Sequence, residues 1–138
     1  GVKKLGKDIL AFGDEGRQEL EDLVELTGDE IEADAKARAP HKIGKLRQST
    51  KAEKVTPLTQ RIISGGVLAP YSPYIEFGTG GEVDVPKGWE NLAIQFKKGG
   101  TVNMKPQPFL IPAFNEGRVR FVKDCKRAYK ILAKKFNK

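Results

Sequence analysis

The sequence predicts an α+β fold: a long N-terminal amphipathic helix and a C-terminal helix packed on a small antiparallel β-sheet. Three observations carry that expectation. Apolar residues recur at helical spacing over a first long stretch, they do so again near the C-terminus, and the region between holds short runs of β-branched residues separated by turn formers. With 138 residues, 38% of them apolar and 15 glycines, the chain has the length and composition of a single domain covering 1–138.

The first helix is expected from Asp14 to Arg38, where Leu20, Leu23, Val24, Thr27, Ile31 and Ala35 share one face. Gly28 within it costs about 1 kcal/mol relative to Ala, so a kink or a break into two helices near Thr27 to Asp29 fits as well as one continuous helix. Pro40 disfavours helical geometry at Ala39 and sets the exit, and Gly44 supplies a tight turn. Leu46 to Val55 and Gln60 to Val67 then read as two strands of a hairpin, joined through Thr56, Pro57, Leu58 and Thr59.

In YSPYIEFGTGG, from Tyr71 to Gly81, the apolar Tyr71, Tyr74, Ile75 and Phe77 surround the lone carboxylate of Glu76, and the glycines end any regular element. The sequence predicts a buried corner there, with Glu76 in a structural ion pair to Arg47. The 28 residues of 80–107 are broken by glycines and form a long excursion for so small a domain. Folded as a hairpin, with strand candidates at Val83 to Val85, Ala93 to Phe96 and Thr101 to Met104, it would reach about 45 Å at roughly 3.3 Å per residue. Such an arm, ordered against a neighbour, and a plain disordered loop are the two readings; Trp89 and Phe96 are its candidate anchors.

The string PQPFLIPAF, from Pro106 to Phe114, is stiffened by three prolines and carries Phe109, Leu110, Ile111 and Phe114, too apolar to stay in water. It leads into a helix over 112–136, with Pro112 tolerated in the first turn. Val122, Cys125, Tyr129, Leu132 and Phe136 form its apolar stripe, widened by Phe121 and Ala128, and the opposite face is basic. Cys125 lies in that stripe and is expected to be a core residue, not a reactive thiol.

The net charge of +7 is unevenly placed. Residues 1–40 hold 6 Lys/Arg against 11 Asp/Glu, residues 41–116 hold 10 against 6, and residues 117–138 hold 9 against 1. Three uses of that polarity are open. An acidic helix of one copy can meet the basic helix of another and close a ring. The two helices of one subunit can neutralise each other. The basic helix, through Arg118, Arg120, Lys123, Lys126, Arg127, Lys130, Lys134 and Lys135, can bind nucleic-acid phosphates without reading sequence.

Catalysis finds little support. His41 is the only histidine, which excludes a histidine metal cluster, and the GTGG run lacks a phosphate-loop lysine and a helix to open. Glu76 has no second acid in a matching setting for general acid chemistry. No catalytic, cofactor-binding or metal-binding residue is therefore assigned. No apolar run approaches the roughly 20 residues that span a bilayer, and GVKKLGKDIL lacks the apolar region of a signal peptide, so neither a membrane partner nor export is expected. The lone Cys125 excludes an intramolecular disulfide and fits a reducing cytoplasm.

The order of three strings carries a resemblance: AP-x-x-x-G-x-L-R-x-S from Ala39, Y-x-x-Y-x-E-F-G-T-G from Tyr71, and P-x-P-F-L-x-P-A from Pro106. Together they resemble the tail-completion or neck proteins of long-tailed bacteriophages, the lambdoid gene-product-ten type. The matching positions are Pro40, Gly44, Leu46, Arg47, Tyr74, Glu76, Phe77, Gly78, Thr79, Pro108, Phe109 and Pro112. His41, Lys42 and Ile43 depart from the short polar turn usual there, as does the stretch after Gly81. The resemblance implies a non-catalytic virion subunit, made in the host cytoplasm, that forms a ring, sixfold in the particle, at the head-proximal end of the tail. Its partners would be head-closure or connector proteins and the tail tube or tail terminator, with transient contact to passing DNA. The signature residues are expected to fix the fold, and contacts to neighbours are sought at Trp89, Phe96, Arg118, Lys123, Lys126 and Lys130.

Overall fold

The computed structural model of the chain describes residues 2–40, 44–79, 86–93 and 104–136. Helix α1 spans Val2–Leu10 and α2 spans Asp14–Arg38, the latter within the bounds its apolar period predicts. Ala39 ends α2 in an extended conformation (φ −62°, ψ 144°), the geometry a following proline enforces. α2 runs unbroken through Gly28. An added Cβ there would lie 2.8 Å from Oε1 of the Gln60 side chain, so the hairpin comes close to the helix at this glycine. α1 is an element that the sequence reading passes over. Its Leu5 and Ile9, with Phe12 beyond it, pack against Leu20, Cys125 and Leu132.

The strand expected from Leu46 begins later. Gly44–Ser49 form a short helix, α3, and β1 is confined to Lys51–Thr56. The reason is local: the hydroxyls of Ser49 and Thr50 donate to the Leu46 carbonyl at 2.7 and 2.9 Å, satisfying the end of a helical turn that buries Leu46 completely. Strand β2, Thr59–Ile63, also stops short of Val67, because Gly65 and Gly66 follow with φ of 104° and 69° and turn the chain away. β1 and β2 form a two-stranded antiparallel hairpin in which Lys51 faces Ile63 and Thr56 faces Thr59, with an irregularity between Lys54 and Thr56. The amide of Ala52 donates to Oε1 of Glu32 at 2.8 Å and ties the hairpin to α2.

Helices α4 (Ser72–Phe77) and α5 (Glu90–Ala93) are short, and α6 (Leu110–Phe136) is the longest element. α6 begins two residues before Pro112, which therefore sits where a helix needs no amide donor. α2 and α6 lie antiparallel, joined across their seam by Glu15–Lys135, Glu30–Arg120 and Arg38–Glu116. They meet closely at Gly117, whose missing Cβ would stand 2.3 Å from Cγ1 of Ile31. Leu58 of the hairpin turn and Ile62 of β2 join the core clusters of the two helices, and the strands themselves rest on α2, which gives the predicted α+β fold. The core has a main cluster at the α3–α4–α6 end, including Ile31, Leu46, Ile75 and Phe109, and a second around Ile9, Leu20, Cys125 and Leu132. Of the apolar stripe expected on α6, Phe136 and Tyr129 are the least covered, 50% and 37% exposed, and their rings lie 5.7 and 5.9 Å from that of Phe12.

Candidate assembly surface and the clamp beneath it

The three signature strings, distant in sequence, come together in one place. Ala39 and Leu46 from the first, Ile75 from the second, and Phe109 and Ala113 from the third share the main core cluster. Phe109 is fully buried, worth about 2–3 kcal/mol of transfer free energy. At their centre is Glu76, 6% exposed. Its Oε1 accepts from the amides of Phe109 (3.2 Å) and Leu110 (2.8 Å), and its Oε2 accepts from Ile111 at 3.4 Å. The carboxylate thus caps the N-terminus of α6, where amides lack helical partners and negative charge is favoured. Burial raises its pKa above the ordinary carboxylate value, and the three amides oppose that rise. Instead of the predicted pairing with Arg47, these amides are the partners the structure gives Glu76; Arg47 lies half-buried on α3.

Further bonds stitch the second string to the third. The Gln107 amide donates to the Ile75 carbonyl at 2.7 Å. The Thr79 amide donates to the Met104 carbonyl, and the Met104 amide donates to Oγ1 of Thr79, both at 2.9 Å. The excursion between Thr79 and Met104 therefore leaves and returns at one point, closed at its base. Gly78, with φ of 80°, turns the chain into it. Phe77 is buried and Tyr74 is 38% exposed at the surface of the same corner; Pro40 and Pro112 are half-buried and Pro108 is exposed.

Part of the excursion lies back on its own subunit. Ala93, expected to start a strand, ends the short α5 and is fully buried against Phe77 and Ile111. Trp89 and Leu92 line a cavity of about 250 Å³ with Phe77, Ile111 and Phe114, and Trp89 is 36% exposed. Glu90 holds the turn before α5 by accepting from the Gly88 amide at 3.0 Å, a bond that lowers its pKa. Phe96 and the strand candidates at 83–85, 94–96 and 101–103 lie outside the described residues, as does His41.

The charge polarity is resolved into two parts. At the α2–α6 seam, Arg120 meets Glu30 at 3.2 Å, Lys135 meets Glu15, and Arg38 meets Glu116 at 2.8 Å. This is the intramolecular neutralisation that the sequence leaves open, and each exposed pair is worth at most about 1 kcal/mol. Arg127 turns to Asp124 at 3.5 Å. The outer face of α6 is different: Arg118, Lys123, Lys126, Lys130 and Lys134 are exposed and form no ion pair among the described residues.

α1 enlarges that face. Val2, Lys4, Leu5 and Asp8 border a shallow groove with Val122 and Lys126, and Val2 closes the end of a wider one, about 550 Å³, floored by Val119, Val122 and Phe121. The sequence held a signal for it, since Val2, Leu5 and Ile9 are spaced by three and four. Counting residues 1–40 as one acidic block hid the lysines of α1.

Cys125 is buried and its pKa is pushed up to about 11 by burial and the nearby Asp124 carboxylate, so at neutral pH it is a protonated core thiol. Among the described residues no three His, Cys, Asp or Glu side chains are grouped to hold a metal ion, and no helix is long and apolar enough to cross a membrane. Comparison with protein-family models, curated proteins and solved structures finds no match to this chain.

Proposed function

We propose that the chain is a structural virion subunit of a phage neck, forming a ring that joins a DNA-filled head to a tail tube and leaves a channel for DNA. One observation carries the reading. The three strings on which the resemblance rests occupy a single packing unit, knit by Glu76, Ile75 and Thr79 to the segment from Met104 to Ile111. That the three strings build one corner is what a shared structural signature would require of them. The corner is too well satisfied to be a reactive site, and its residues act by holding α6, α4 and the base of the excursion in fixed relation. The work of such a subunit is mechanical: no bond is made or broken, and surfaces outside the clamp meet neighbours.

The second reading, a sequence-nonspecific nucleic-acid-binding domain, is favoured by the lysines of α6 that form no ion pair among the described residues and weakened by the engagement of Arg120, Arg127 and Lys135 with carboxylates. Negative-stain imaging of the purified chain added to tail tubes lacking heads separates the two. The connector reading expects extra density at one end of each tube. Bare tubes, together with a DNA affinity that falls steeply with salt, would replace it with the nucleic-acid reading.

A further inference from the structure

The seam between α2 and α6 consumes only part of each helix's charge, and what remains forms two stripes of opposite sign. On α2, Glu19, Asp22, Leu26, Asp29 and Ala33 follow one another at intervals of three and four and are all exposed, a line about 21 Å long. Its acids form no ion pair among the described residues, and Leu26 in their midst is 47% exposed. On α6, Val119, Lys123, Lys126, Lys130 and Lys134 follow the same spacing over about 22 Å, with Val119 56% exposed. Beside Val119 lies the apolar groove floored by Val122 and Phe121 and rimmed by Arg118, Lys123 and Lys126.

From these features we infer that the acidic stripe of α2 in one copy docks on the α1–α6 groove of a second copy, with Leu26 seated against Val2, Val119 and Val122. The contact rests on the ring reading and specifies its interface. Three features fit a second copy of this chain. The stripes match in length and oppose in charge. Each carries an apolar residue among its charges, which phosphates would not require. Because donor and acceptor surfaces differ, the contact is heterologous and leaves one copy of a pair with a free groove and the other with a free acidic stripe, the condition for adding copies until a ring closes. Charge steers the approach, and the Leu26 side chain leaving water supplies the nonpolar part.

Charge exchange tests the contact. One variant carries Asp22→Lys and Asp29→Lys; the other carries Lys123→Glu, Lys126→Glu and Lys130→Glu. All five positions are exposed, and circular dichroism with thermal unfolding verifies that each variant folds. Sedimentation over a range of concentration and salt, with negative stain, gives the readout. The wild type is expected to associate at low salt, each variant alone to stay monomeric, and an equal mixture to recover association through alternating copies. Leu26→Ser should weaken wild-type association at least tenfold. Either variant alone associating like the wild type, a mixture that stays monomeric, or a wild type that stays monomeric at every concentration overturns the contact. Uniform rings that survive both charge reversals would overturn this interface and keep the ring; association that follows the charges but yields open chains would keep the interface and remove the connector. Loss of duplex-DNA binding in the lysine variant, with its self-association unchanged, would assign the stripe to phosphates and overturn the contact.

Discussion

At the residue scale, Glu76 holds distant parts of the chain together through three backbone amides at the start of α6. Removing it in Glu76→Ala leaves three amides at the start of α6 without their acceptor, and a loss of about 2–3 kcal/mol in denaturant unfolding is expected. Glu76→Gln keeps one oxygen for Phe109 and Leu110 and should cost less. Because burial raises the folded-state pKa of Glu76 above its unfolded value, the native state holds the proton more tightly. Its stabilising contribution is therefore complete below the ordinary carboxylate value and declines as pH rises through the raised one. The stability of wild type relative to Glu76→Gln should accordingly increase on acidification from neutral pH; a margin that shrinks would contradict the sign. Cys125 should react with a thiol reagent only on unfolding, and fast modification of the native chain would contradict its placement in the core. That Glu76 would be buried among apolar residues was legible from its neighbours in sequence. Its acceptor role was not, because the donors lie more than thirty positions away and are backbone groups with no side-chain signature.

At the element scale, the two long helices were readable because each repeats one period over many turns, while the short elements were not. α3 looks like a strand in sequence, and it took the bonds of Ser49 and Thr50 to the Leu46 carbonyl to make a helical turn there. Two glycines separate packing from propensity. Gly28→Ala gains about 1 kcal/mol of helix propensity and displaces only the end of the flexible Gln60 side chain, so unfolding should show a neutral or slightly stabilised protein. Gly117→Ala has the same propensity gain, but its Cβ would stand 2.3 Å from buried Ile31, and overpacking of about 1–3 kcal/mol should prevail. A net loss near 1–2 kcal/mol is expected; equal stability of the two variants would mean that α2 and α6 can slide apart without cost.

For the whole molecule, the division of charge matters more than its total. Sequence counting shows an acidic first third and a basic end, and both survive in the structure as surfaces. What counting misses is that α1 sides with the basic face, and that Arg38, Arg120 and Lys135 are already engaged across the seam. The clamp fixes how α6 leaves the corner, and α6 in turn fixes where its outer lysines face, so the interior signature and the outer stripe belong to one account. On this account the clamp is a structural device and the stripes are the working surfaces. The measurement that bears most directly on it is the mass of the purified chain in solution, by light scattering across a wide concentration range at low salt. A closed species of one fixed copy number, absent at high salt, is the predicted result. A monomer at every concentration would contradict the claim that this chain builds a ring through its own charged helices.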